Sequence, residues 1–131
     1  MGSWLADYNS MVLELTKHAE VCEIFRAGLT DFGALGGNDQ MRFHGWMISH
    51  LLNAQNLFLE ANEGTMHPDL AAQVLTCNAK MLGTAGGHAW WSTARPTFHT
   101  EFTNHMEHLI DREAPIGEMW PWFLSEGEAK T

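Results

Sequence analysis

The chain has 131 residues, 45% hydrophobic, 11% aromatic and 18% charged, which is enough apolar mass for one domain around one core and too little charge for a disordered polypeptide. Sixteen acidic residues against seven basic ones leave a formal charge of -9, the wrong sign for holding nucleic acid or an anionic membrane through phosphate neutralisation. No run approaches the roughly 18 uninterrupted apolar residues of a membrane span, and Cys22 and Cys77 each sit in an apolar stretch, as reduced thiols do, so a cytoplasmic address is the expectation.

From Trp4 the apolar residues recur at Tyr8, Met11, Val12, Leu15, Ala19, Cys22 and Phe25, the three-and-four spacing of one helix face, and Gly28 stands where a left-handed residue would stop that helix. Residues 28–38 mix glycines with Leu29, Phe32 and Leu35 and read as a connector pinned to the core. Asn38 or Asp39 then caps a second helix, with Phe43, Trp46, Met47, His50, Leu51, Ala54, Leu57 and Phe58 on its main apolar row. A second row, Met41, Ile48, Leu52 and Leu59, makes it apolar on more than one side, the pattern of a central helix. It ends near Gly64, and Pro68 suits the first turn of a third helix that stops at Gly83. Thr84 to Gly87 reads as a glycine turn before a short helix, His88 to Ala94, that carries Trp90 and Trp91. Neighbouring helical positions diverge by about 100°, so one of the two indoles is expected to be partly exposed. Phe98, Phe102, Met106, Leu109 and Ile110 define a last long helix from about Pro96 to Glu113.

Nothing alternates as a strand does, so the expected fold is all-α, an up-and-down bundle of four main helices with an extra short one. Residues 1–113 form the bundle domain and residues 114–131 an aromatic tail, with Trp120 and Trp122, that packs on the bundle or on a partner.

Functional motifs are sparse. His105 and His108, with Glu101 one turn earlier, share a helix face and are the best local metal spacing; His99, His18 and Cys22 are further donors. A di-iron bundle needs a Glu-x-x-His motif on each of two helices, and the chain has none. His50 lies on an apolar row, where the ordinary reading is a hydrogen-bonded core imidazole. Asn53, Asn56, Glu60 and Glu63 form a polar row that is either a ligand wall or a solvated face. The glycine pairs Gly36-Gly37 and Gly86-Gly87 match no phosphate-binding fingerprint, no nucleophile elbow occurs, and no motif requires a cofactor.

Phe25-Arg26-Ala27-Gly28-Leu29, then Arg42-Phe43, Glu60 with Gly64, and the block Gly86-Gly87-His88-Ala89-Trp90-Trp91 running to Arg95, Phe98 and Glu101-Phe102 resemble the pattern of an uncharacterised family of small bacterial helical proteins. The resemblance covers about two thirds of the chain and implies a helical fold but no activity. Members of that family are often tethered to a membrane by an apolar N-terminal helix; these residues include none, so the resemblance implies either a soluble portion of a tethered protein or an untethered member.

The function expected from these features is a non-catalytic module that binds protein, beginning with itself as a homodimer, and whose charge favours a basic partner. The alternative is a small-molecule or metal-binding bundle that uses His50, Glu60, Trp90 and Trp91 around a pocket, or His105, His108 and Glu101 at a surface site.

Overall fold

The structure, a computed structural model, describes residues 10, 13, 17–119, 122 and 124. Among the described residues the fold is all-helical, with six helices: α1 (Ala19–Thr30), α2 (Gly37–Asn62), α3 (Pro68–Leu82), α4 (Ala85–Ala94), α5 (Thr100–Arg112) and the single turn α6 (Ile116–Met119). Short 3-10 turns at Phe32–Ala34 and Arg95–Thr97 link α1 to α2 and α4 to α5.

The N-terminal end of the first expected helix, Trp4 to Leu15, lies almost wholly outside the described residues. Where the chain is described, His18 has extended backbone (φ -131°, ψ 102°), so α1 starts at Ala19 instead of continuing an earlier run. It also passes through Gly28, the expected stop, and ends at Thr30. A Cβ on Gly28 would run into the ring of Phe43, so this glycine allows α1 and α2 to approach instead of ending the helix.

Neither Asn38 nor Asp39 caps α2. Gly36 occupies the cap position, its carbonyl accepting from the Gln40 N–H at 2.8 Å. Twenty-six residues later the helix closes as its sequence indicates: Gly64 takes φ +82°, its N–H donates to the Ala61 carbonyl, and the Thr65 N–H donates to that of Glu60. Pro68 opens α3, and the His67 ring accepts from the Asp69 N–H.

Thr84 to Gly87 is no turn. The Thr84 hydroxyl accepts from the Gly87 N–H at 3.0 Å and donates to the Met81 carbonyl at 2.8 Å, so α4 begins at Ala85 with both glycines in its first turn. The last long helix starts four residues later than expected. Phe98 is extended (φ -100°, ψ 163°), which turns its ring into the core, and α5 starts only at Thr100.

The main core gathers Leu29 from α1, Phe43, Met47 and Leu51 from α2, Leu82 from α3, both α4 tryptophans, and Phe102 and Met106 from α5. A smaller cluster, Leu57, Met66 and Ala71, sits under the α2–α3 connection. Ile116 of the tail is fully buried, and Leu124 packs on the same core.

Candidate functional site

Helix α4 carries the densest set of side-chain hydrogen bonds between helices. Both of its tryptophans are buried, contrary to the expectation that one would be exposed, because α1, α3 and the 3-10 turn at Phe32–Ala34 all pack around this short helix. Trp90 Nε1 donates to His44 Nδ1 of α2 at 3.0 Å, which fixes the His44 tautomer with its proton on Nε2. Trp91 Nε1 donates to Glu107 Oε2 of α5 at 2.7 Å, and Arg95 Nη1 donates to the same oxygen at 2.7 Å. One carboxylate oxygen therefore holds a buried indole and a guanidinium together, joining α4 to α5.

The glycine pair completes this arrangement. A Cβ on Gly86 would collide with the Gly28 carbonyl of α1, and one on Gly87 with the Met81 carbonyl. Gly28, Gly86, Gly87, Trp90, Trp91 and Arg95 thus act as one packing device: the glycines let backbones touch, and the indoles and the Arg95–Glu107 pair lock the contact.

His50 is buried on α2, its ring 3.8 Å from that of Trp46, which in turn lies 3.9 Å from Phe25 of α1. Burial lowers the His50 pKa to about 4, so the imidazole is neutral at pH 7. Beside this column, a groove of about 570 Å³ between α1 and α2 is lined by Val21, Ile24, Phe25, Phe43 and Trp46, with His18, Glu20 and Arg42 as charged or polar members.

The other expected site residues do not converge with His50. Trp90 stacks with His44 and Trp91, and Glu60 lies about 15 Å farther along α2. Its backbone carbonyl accepts from Thr65, and Oε1 is buried without a hydrogen-bond partner among the described residues. In the polar row of α2, Asn53 is buried, Glu60 half-buried, and Asn56 and Glu63 exposed.

On α5, His105 stacks on Phe58 at 5.1 Å; partial burial lowers its pKa, and His108 and Arg112 lower it further. His108 and Glu101 are exposed, and His99 accepts from the Glu101 N–H as the cap of α5. Among the described residues no three His, Cys, Asp or Glu side chains come together to hold a metal ion. Trp120 lies outside the described residues, and Trp122 is 63% exposed.

Sequence reasoning passed over the partners of the two indoles. His44 and Glu107 show no signal as indole partners, since only the packing of α4 brings them there. The second apolar row of α2 is legible in the sequence as the mark of a central helix, but only part of it is covered. Met41 is 72% exposed and Leu52 42%, while Ile48 packs against the core and Leu59 is half-buried. Its intervals of seven, four and seven from Met41 to Leu59 keep it within one narrow stripe of the helix.

No protein-family model matches the chain, and no curated protein or solved structure matches it. No helix among the described residues is long and apolar enough to cross a membrane.

Proposed function

We propose that this chain is a non-catalytic helical module that acts by binding protein, in the first instance a second copy of itself. The observation that supports this reading is the outer row of α2, which leaves Met41 and Leu52 in water on a 26-residue helix. The groups with chemistry to offer elsewhere already have structural duties: His44 and Glu107 hold indoles, Thr84 caps a helix, and His50 stacks in the interior. The reading takes the four main helices as an up-and-down bundle in the cytoplasm, related to the small bacterial family it resembles, and the -9 charge favours a basic further partner. Sedimentation velocity from micromolar to millimolar protein tests it. A sedimentation coefficient that rises with concentration to the dimer value is expected, and a monomer throughout would overturn it.

The α1–α2 groove supports a second reading, a site for a small apolar molecule, since its volume lies within the usual range of ligand pockets. Native mass spectrometry of the purified chain should then show a stoichiometric extra mass that Trp46→Ala removes; a bare chain mass counts against it.

A further inference from the structure

From the hydrogen bonds that three histidines accept, we infer a proton-sensitive device built into the fold. His44, His67 and His99 each hold a helix in place only while Nδ1 carries no proton, so acid releases the starts of α3 and α5 and the α2–α4 contact together.

The geometry is the same each time. The Asp69 N–H donates to His67 Nδ1 at 3.2 Å, the Glu101 N–H to His99 Nδ1 at 3.3 Å and Trp90 Nε1 to His44 Nδ1 at 3.0 Å. A backbone amide and an indole can only donate, so each ring keeps a lone pair on Nδ1 and its proton on Nε2. A second proton on Nδ1 sets donor against donor and removes the bond outright. All three side chains are exposed, so the proton comes straight from water, and histidine is the side chain whose charge changes between about pH 5 and 8. Thr84 shows the non-titrating alternative in the same fold, its hydroxyl capping α4. At His67 and His99 the new charge also falls at the positive end of a helix dipole, where a cation is unfavourable. His99 further ties α5 to α2, its own N–H donating to Gln55 Oε1 at 2.6 Å, so its cap governs the point at which these two helices are joined.

The charged groups nearby define what replaces the lost bonds. His67-Pro68-Asp69 and His99-Thr100-Glu101 share the order His-x-acid with His18-Ala19-Glu20. At the start of α1 that order places His18 Nδ1 3.8 Å from Glu20 Oε2, the contact a charged ring seeks. Protonated His67 and His99 therefore exchange an amide donor for the carboxylate two residues on. Glu63, at the end of α2, adds to that attraction at His67, and Arg95, in the turn before α5, opposes it at His99. On α2, the residues one turn from Gln55 are all uncharged. Around His44, neither α4, whose one titratable group is His88, nor the α2 residues a turn away, Gln40, Met41, Met47 and Ile48, supplies a charge. Among the described residues no carboxylate lies within 4.0 Å of these three rings, so no ion pair competes with the bonds they accept. The His50 pKa of about 4, and the lowered one of His105, keep those two rings outside the set.

The test is a two-dimensional NMR titration of the full isotope-labelled chain from pH 7.5 to 5, with thermal unfolding at both ends. The amide signals of Asp69 and Glu101 and the indole signal of Trp90 should each move in step with the ring signals of the histidine they bond to. Asparagine caps a helix through an oxygen that does not titrate, so in His67→Asn/His99→Asn the two amide signals should lose that movement, and in His44→Gln the indole signal should lose it. Between pH 7.5 and 5 the wild-type Tm should fall about 5 °C further than that of His67→Asn/His99→Asn. Ring signals that titrate while all three N–H signals stay put would overturn the device, and the wild-type chain alone suffices for that reading. Equal Tm losses in the wild type and the double variant would overturn the part the two caps play in it.

Discussion

Replacing Gly86 by alanine adds one methyl group to the first turn of α4, and the structure gives that group nowhere to go. The new Cβ would lie 2.7 Å from the Leu29 carbonyl carbon and 2.8 Å from that of Gly28, against an ordinary contact of about 3.5–4.0 Å, and closer still to the Gly28 oxygen. The obstacle is main chain, so no rotamer can yield, and α4 must retreat from α1 by about 1 Å. Overpacking of this kind costs about 1–3 kcal/mol, and a backbone obstacle puts it near the upper figure. Alanine returns about 1 kcal/mol through its better helix propensity, so the net loss is about 2 kcal/mol, or roughly 6 °C in Tm for a domain of this size. Gly45→Ala is the matching control, because it makes the same chemical change inside a helix where nothing stands within 4 Å, and it should stabilise by up to about 1 kcal/mol. Urea unfolding followed by tryptophan fluorescence and circular dichroism, at micromolar concentration, compares the two. A Gly86→Ala protein as stable as Gly45→Ala would show that α1 and α4 do not meet backbone to backbone, and the account of the glycine pair would fall.

Three further perturbations probe the same framework. His50 has a folded pKa of about 4 against an ordinary 6.5, so the unfolded chain takes up its proton first; the contribution is complete above about pH 6.5 and is lost as pH falls toward 4, with about 2 kcal/mol gone by pH 5. Urea midpoints at pH 7 and 5 should show that loss in the wild type and a smaller one in His50→Gln, and equal slopes would contradict it. Glu107→Ala removes the acceptor of the Trp91 indole and should cost about 1–3 kcal/mol, while Glu107→Gln, which retains an acceptor, should cost less; the comparison by thermal unfolding fails if the two are alike. Burial raises the Cys77 thiol pKa, with Lys80 drawing it partly back, so alkylation of Cys77 at pH 7.5, followed by peptide mass spectrometry, should be slower than that of an unfolded control.

Periodicity was enough to read the class of the fold, and proline and glycine some of the element ends. The three-and-four spacing of α2 and α5, Pro68 at the start of α3 and Gly64 at the end of α2 are local features, because a helix is built from contacts within a few residues of sequence. Glycines were read less well, since the same residue serves a turn or a close approach, and only a neighbouring helix decides which. Gly64 adopts a left-handed backbone as a stop, whereas Gly28 and Gly86 lie inside helices because Phe43 and the α1 backbone press against them. The candidate sites divided in the same way. That His50 belongs to the interior followed from its row, but that Trp90 would find His44, forty-six residues away, depended on how α4 crosses α2. The second row of α2 is visible in the sequence, yet a sequence gives a helix's apolar faces without saying which of them the rest of the chain will cover. Tertiary packing settled that: it enclosed the Phe43–His50 face and left Met41 and Leu52 in water.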